Sequence, residues 1–216
     1  MDKQKFTFLE ALFVAILIFG MGFMLGIWLE SYRTNKIDYL YELSEINLLD
    51  LKSQEQFVEL VNCEDADLEI VNFANKIYEE AQVLDKYDGA SRLTESIITK
   101  HMKYDLLRAS LFISAIKTKK RCNSSFNIVT YIYQYNEPSI EIQSRQRVFS
   151  KALLELKKDY PEQDIILIPM AGDNNLISVD LIMTKYNIEE LPSIMINEDV
   201  KLTEVDELAN ISQYLE

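Results

Sequence analysis

The pattern of hydrophobic and polar positions changes twice along the chain. Residues 11–29 form a run of nineteen residues without a charge. About 20 apolar residues cross the hydrocarbon core of a membrane as a helix, whereas the apolar part of a cleaved signal peptide is typically ~7–15 residues. The pattern therefore predicts a membrane-spanning helix at residues 11–29, after a short tail at residues 1–10. The alternative is a buried helix of a soluble protein, which would normally carry a polar face.

The second part, residues 30–122, has apolar residues at intervals of three and four. That spacing is the helical period. Turn-forming residues predict breaks at Asn62–Asp67 and at Asp85–Ser91. The segment is therefore predicted to be all-α, and its first helix could continue the membrane helix as a stalk.

The third part, residues 124–216, alternates strand-like and helical runs. The predicted strands are residues 126–135, 164–168, a run opened by Pro192, and 200–202, and the predicted helices are residues 143–160, 177–186 and 204–214. Pro192 is placed at the start of a strand because proline is tolerated there and not in a strand's interior. The predicted fold is an α/β domain with the order βαβαββα, in which right-handed crossovers join parallel strands.

Within this domain the segment Tyr186–Ile196, YNIEELPSIMI, is the most specific motif. Read with the βαβ pattern before it, the segment resembles the cis-proline loop of the thioredoxin fold. The resemblance covers residues 124–216 and implies a tight turn that holds the Leu191–Pro192 bond in the cis form beside a functional site. The whole arrangement also resembles membrane-anchored thioredoxin-like proteins of some archaea, which combine a signal anchor, a helical segment and a C-terminal thioredoxin-like domain.

The redox motif of that family is missing. In thioredoxins a C-x-x-C motif follows the first strand at the start of a helix, where the helix dipole lowers the pKa of the first thiol. The corresponding stretch here is Asn136–Ile142, NEPSIEI, so Ser139 and Ile142 stand where the thiols would be. The family's catalytic residues therefore do not transfer, and no catalytic residue is predicted.

What the resemblance does imply is a partner-binding groove. In the family, a groove beside the cis proline holds an extended peptide by backbone pairing. Its predicted lining here is Pro138, Ser139, Ile142, Leu191 and Pro192.

The two cysteines, Cys63 and Cys122, both lie at predicted helix ends. Three interpretations stay open: a structural disulfide, two separate buried thiols, and a reactive dithiol. Outside the cytoplasm oxidation is permitted, and closing a loop of this length would stabilise the fold by roughly 4 kcal/mol in the chain-entropy model.

The net charge and its position along the chain argue against two classes of binding partner. The chain has a net charge of -13, and because Asp2, Lys3, Lys5 and Glu10 cancel, the excess lies beyond residue 29. Binding to nucleic acid or to anionic lipid would need clustered Lys and Arg. No nucleic-acid partner is therefore predicted.

The sequence also gives little support for a metal site or a cofactor. His101 is the only histidine, so a His-based metal site or a catalytic triad has no usual basis, and a lone histidine on a helix is expected to be solvated. The acidic cluster at residues 64–69 is better explained by a helix N-terminus, whose dipole attracts carboxylates. No metal site and no cofactor are predicted.

The flanks of the apolar run suggest its orientation and its packing. Lys3 and Lys5 on one side and Arg33 and Lys36 on the other give a slight positive-inside preference for a cytoplasmic N-terminus, which places the later domains outside the cytoplasm. Gly22 and Gly26 form a GxxxG spacing that could let two membrane helices pack as a homodimer.

Three functions are compatible with these features. The favoured hypothesis is a single-pass, redox-inactive thioredoxin-like protein that binds a peptide or protein partner at the extracytoplasmic membrane surface, in a chaperone-like or scaffold role rather than as an enzyme. The alternative is a membrane-tethered thiol–disulfide oxidoreductase that uses Cys63 and Cys122. The third is a structural subunit of a larger membrane complex.

Overall fold

The structure, a computed structural model, describes residues 2–58, 61–88, 95–136, 139–160 and 165–215. Its elements follow in the order α1 (Asp2–Val58), α2 (Cys63–Asp88), α3 (Glu95–Cys122), β1 (Asn127–Tyr133), α4 (Ile140–Asp159), β2 (Ile165–Ala171), α5 (Ile177–Lys185), β3 (Ser193–Ile196), β4 (Val200–Leu202) and a closing 3-10 helix (Val205–Tyr214). The chain divides into two compact units, residues 1–40 and 41–216.

The first unit is the apolar part of α1. Within Phe6–Tyr32, the most apolar window of 18 residues has a mean hydropathy of 2.5, and none of that window is buried. Phe19 and Met24 are each 75% exposed. A core helix would hide such side chains, so the alternative of a buried helix does not fit. The helix is long and apolar enough to cross a membrane, and it contains the predicted span.

In the second unit, the end of α1 packs against α2 and α3. Asn47 is buried, accepts a hydrogen bond from Lys76 at 2.9 Å and donates to Glu80 at 3.3 Å. Burial raises the pKa of Glu80, while Lys76 and Asn47 oppose that rise. The apolar contact between α2 and α3 is filled by Ile70, Phe73, Ile77, Leu107, Leu111 and Phe112.

The predicted breaks between these helices need correction. Helix α2 begins at Cys63, inside the predicted break Asn62–Asp67, because Asn62 caps it by accepting a hydrogen bond from the Asp65 amide at 2.9 Å. The helix then continues through Asp88. Residues 89–91 of the second predicted break lie outside the described residues.

The strands form one mixed sheet with the order β2-β1-β3-β4. Strand β1 pairs parallel to β2 and antiparallel to β3, and β3 pairs antiparallel to β4. Helix α4 and the 3-10 helix pack on the sheet through a buried core that includes Val129, Tyr131, Phe149, Leu153, Ile194 and Leu208. Helices α2 and α3 contact β2, the strand at one edge.

Two elements differ from the sequence-based expectation. Strand β2 runs through Pro169 to Ala171, instead of ending at Ile168, because an edge strand tolerates a proline. The final helix is 3-10 rather than α, with non-helical dihedral angles at Asn210.

Candidate functional site

The candidate site lies where β1 and β2 end and β3 begins. Ser193 pairs with Ile132, so the register places Pro192 beside Tyr133 at the end of β1. The Leu191–Pro192 bond is cis, as the sequence predicted. Gly172, directly after β2, completes the edge: a Cβ there would lie 2.9 Å from Leu191 Cδ1. A side chain at this position would have to displace the side chains of Leu191, Ile132 or Met183, so glycine lets the proline loop approach the end of the sheet closely.

A side chain ends the β1–β3 ladder next to Pro192. Asn197 donates to the Ile128 carbonyl at 2.9 Å, and because hydrogen-bonded pairs alternate along an antiparallel ladder, the register makes Gln134 and Leu191 the next pair of that type beyond Ile132. Gln146 of α4 takes this position instead. Its Oε1 accepts from the Gln134 amide at 2.8 Å, and its Nε2 donates to the Gln134 carbonyl at 3.1 Å.

Because Gln146 binds both backbone groups of Gln134, Leu191 in the proline loop does not pair with Gln134. Within the described parts of the chain, the backbone N–H and C=O of Leu191 have no hydrogen-bond partner. Leu191 is only partly buried, while Pro192 is buried. Among the described residues, the loop therefore presents one backbone donor and one backbone acceptor that no other group binds.

The loop after β1 is held in place by the loop after β2. The Asp173 carboxylate accepts hydrogen bonds from the backbone amides of Tyr135 at 2.8 Å and Asn136 at 2.7 Å. The Asn136 side chain in turn donates to the Asp173 carbonyl at 2.9 Å. These bonds fix the backbone that leads from β1 towards α4.

The other predicted groove residues lie at the start of α4. Ser139 is the N-cap of this helix, and its Oγ accepts from the Ile142 amide at 3.3 Å. Ser139 is exposed and Ile142 is partly buried. Pro138 lies outside the described residues. Sequence reasoning missed Gln146 and Asp173, because nothing local marks a side chain that will cap a strand distant in the chain.

A buried polar cluster lies on the α3 side of the site. Asp105 is completely buried and binds His101 Nδ1 at 2.9 Å and Arg108 Nη1 at 3.1 Å. Asn174, from the loop after β2, donates to the same carboxylate at 2.8 Å. The cluster therefore ties α3 to the loop that holds the candidate site.

His101 is the clearest correction to the sequence analysis. It was predicted to be solvated, yet it is only 9% exposed. Asp105 lies one helical turn later on the same face, and the ring of Tyr135 stacks on the imidazole with centroids 3.9 Å apart. These two partners satisfy a histidine that would otherwise be expensive to bury.

The charges in this cluster favour a structural role, in which Asp105 holds α3 against the loop after β2. Tyr133 lies 3.2 Å from His101 Nε2, and burial raises the pKa of its hydroxyl far above the usual range, with the Asp105 charge adding to the rise. Burial would lower the pKa of Arg108, but Tyr133, Tyr104 and Asp105 more than offset this, so the guanidinium stays charged. The tyrosine therefore remains protonated, and the carboxylate is balanced by the guanidinium.

The cysteines lie at the opposite end of the sheet. Cys63 and Cys122 form a disulfide with an S–S distance of 2.10 Å, which joins the start of α2 to the end of α3. Cys122 precedes β1, whereas Pro192 lies beside its last residue. At about 3.3 Å per residue, β1 alone separates them by roughly 20 Å. Of the three interpretations, the structure has the disulfide, and neither cysteine is free.

In the parts of the chain that the structure describes, no group of three or more His, Cys, Asp or Glu residues could hold a metal ion. The groups that the site offers to a ligand are the backbone N–H and C=O of Leu191, which have no partner among the described residues.

Comparisons with known proteins add one similarity. No family model matches this chain, and no curated protein matches it. Among solved structures, oxidised thioredoxin O2 from Arabidopsis thaliana is similar at 20% sequence identity and a TM-score of 0.35, over 50% of this chain and 90% of that chain. A TM-score of this size carries no argument about activity. The structure itself has a mixed α/β sheet with helices and a cis proline at the start of β3.

Proposed function

We propose that this protein is a membrane-anchored, redox-inactive thioredoxin-like protein that binds an extended peptide or a partner protein beside Pro192. It would act as a chaperone-like or scaffold protein rather than as an enzyme. The observation that carries the proposal is the free N–H and C=O of Leu191, opposite a Gln134 whose own backbone groups are capped. An added strand satisfies such groups, with main-chain hydrogen bonds giving affinity and side-chain pockets giving specificity.

Two features support an extracytoplasmic membrane surface as its location. The exposed apolar part of α1 is long enough to serve as an anchor. The disulfide suits an oxidising compartment, since such bonds are rare in the cytoplasm. Reductant-dependent thiol labelling of intact and lysed cells tests the orientation: labelling in intact cells supports an external domain, and labelling only after lysis contradicts it.

The thiol–disulfide oxidoreductase remains a second candidate because Cys63 is exposed. Against it, the disulfide lies roughly 20 Å from the proline loop by strand length, and Ser139 and Ile142 have no redox chemistry. An assay of disulfide reduction and exchange with a model dithiol substrate separates the two functions. Catalytic turnover that is lost in a Cys63→Ser variant would favour the enzyme.

Backbone pairing is testable with N-methylated peptides. A peptide selected from a random library on the full chain in neutral detergent would be methylated at one backbone nitrogen at a time. Leu191 offers one carbonyl acceptor, and neighbouring N–H groups of a strand point to opposite sides, so we expect affinity to fall when one particular nitrogen is methylated and to be kept when either neighbouring nitrogen is methylated. Equal tolerance at all positions would contradict strand addition.

Two matched variants locate the bound peptide. Ile142→Asp places a charge on the predicted groove at a helix first turn, where a carboxylate is tolerated, and should weaken binding. Leu154→Asp makes the same change on an exposed position further along α4 and should leave binding unchanged. Equal effects of the two variants would place the peptide elsewhere.

We also propose that the anchor can dimerise through Gly22 and Gly26. A Cβ at either glycine would meet no described atom of the chain within 4 Å, so the surface is open to a second helix. Replacing both glycines with leucine should abolish crosslinked dimers in membranes, whereas Gly20→Leu should not. Persistent dimers in the double variant would contradict this packing.

A further inference from the structure

Helix α4 follows β1 and helix α5 follows β2, and because β1 and β2 are parallel, both helices begin at the edge of the sheet where Pro192 lies. Exposed apolar side chains occur in the first turns of these helices. Ile140, the first residue of α4, is 83% exposed, and Ile177 and Leu181 of α5 are 76% and 63% exposed. Helix α5 adjoins the proline loop, because a Cβ on Gly172 would lie 2.9 Å from Leu191 Cδ1 and 3.0 Å from Met183 Sδ. Met183 also lines a surface cleft with Asp180 and Glu189, so this part of α5 adjoins the loop that carries Leu191.

Four carboxylates, here called the rim acids, accompany these apolar side chains: Glu141, Asp180, Glu189 and Glu190. Glu189 and Glu190 directly precede Leu191, and Asp180 and Glu189 line one surface cleft. All four are exposed, and within the described part of the chain none has an ion-pair or hydrogen-bond partner.

The helix dipole explains only part of this arrangement. Glu141 and Asp180 lie in first turns of helices, where a carboxylate is stabilised. Glu189 and Glu190 lie in a loop, where that explanation does not apply.

The nearest cations in the sequence are engaged elsewhere. Lys185 lies 3.7 Å from Glu198, Lys201 donates to the Tyr186 carbonyl at 3.1 Å, and Arg145 donates to the Thr203 carbonyl at 2.8 Å. Cations of the described residues therefore do not neutralise the rim acids.

We infer that the groove selects a peptide with apolar residues flanked by Lys or Arg. This inference rests on the proposed function and names the class of peptide that the site takes. Apolar side chains of the peptide cover Ile140, Ile177 and Leu181, and its cations face the rim acids. Complementary charge of this kind steers association and disfavours wrong partners. An anionic peptide would instead meet four uncompensated like charges.

The test uses three peptides with the same apolar residues, flanked by Lys, by Gln or by Glu, titrated against the full chain in neutral detergent. We expect the Lys peptide to bind about tenfold more tightly than the Gln peptide, from a few tenths of a kcal/mol per exposed charge pair. The Glu peptide should bind most weakly. The preference should shrink in about 1 M salt, where the Debye length falls to ~3 Å.

A matched pair of variants separates the rim from the general acidity of the chain. The rim variant Glu141→Gln, Asp180→Asn, Glu189→Gln, Glu190→Gln should lose the preference for the Lys peptide. The control Glu69→Gln, Glu79→Gln, Asp159→Asn, Asp199→Asn changes net charge equally at exposed acids away from the groove. It should keep the preference.

Three results would overturn the inference in distinguishable ways. If all three peptides bind equally and lose affinity when one particular backbone nitrogen is methylated, the charge preference is wrong but peptide binding stands. If the two variants weaken binding equally, the attraction belongs to the whole chain and not to the rim. If no peptide binds, the proposed function fails together with the inference.

Discussion

An amide side chain binds backbone groups at each end of the β1–β3 ladder, but the groups of both strands are paired at only one of the two ends. At one end Asn197 donates its backbone N–H to the Ile128 carbonyl at 2.9 Å, and its Oδ1 accepts from the Ile128 amide at 3.0 Å. At the other end Gln146 caps both backbone groups of Gln134. Asn197 belongs to the pairing strand's own turn, so both sides are satisfied. Gln146 comes from a helix outside the ladder and leaves Leu191 open.

Charged side chains also differ between the two ends, which we call the closed end, at Asn197, and the open end, at Gln146. At the closed end Lys120 lies 2.7 Å from Glu198, which also lies near Lys185. At the open end the four rim acids have no partner among the described residues. Under the proposed function, the closed end serves stability and the open end keeps groups available for a ligand. Four predictions test this division.

The largest expected effect is on stability at the closed end. Replacing both Cys63 and Cys122 with serine removes a cross-link over 59 residues. The chain-entropy model gives a loss of about 4 kcal/mol in the free energy of unfolding, measurable by urea denaturation. Peptide affinity should be unchanged while the variant stays folded. Loss of binding in a folded double variant would show that the two ends are not independent.

Asp105→Ala should destabilise the protein by about 3 kcal/mol, because it leaves the buried Arg108 without its carboxylate. Thermal or urea unfolding measures the change. Asp105→Asn retains an acceptor and should cost less. A near-neutral Asp105→Ala variant would mean that the cluster does not brace the open end.

Gln146→Leu should cost no more than about 1 kcal/mol, because the two Gln134 backbone groups that lose their side-chain partner can pair with Leu191 instead. With that pairing, amide exchange at Leu191 should slow and peptide affinity should fall. Gln213→Leu, an exposed change on the 3-10 helix, serves as the control. Unaltered exchange at Leu191 in the Gln146 variant would contradict the role given to this side chain.

The smallest effect is a pH dependence from the closed end. Burial acts to raise the pKa of Glu198, but hydrogen bonds from Lys120 and Tyr186 and the charge of Lys120 lower it overall, below 4.5. A carboxyl whose pKa is lowered by folding stabilises the fold above its unfolded pKa and loses that contribution as the pH falls through the folded value. Melting temperatures of the parent and Glu198→Gln should therefore converge in acid. A constant difference would exclude this linkage.

The sequence by itself determined the features that depend on neighbouring residues. The resemblance to the thioredoxin fold implied the cis bond at Pro192. The uncharged run predicted the apolar helix, the changes of hydrophobic period predicted the order of strands and helices, and Pro192 predicted the start of β3. Each of these signals is complete within a few residues, because helical and strand periods and proline geometry are local properties.

Only the tertiary structure decided which distant groups meet. It selected the disulfide among three interpretations, and it buried His101 by supplying Tyr135 from beyond the end of β1. It also placed the side-chain amide of Gln146 against the backbone of Gln134, so that the backbone of Leu191 has no partner among the described residues. Such contacts depend on how helices pack on a sheet, and hydrophobic periodicity specifies the buried face of a helix without specifying which polar group will lie opposite it.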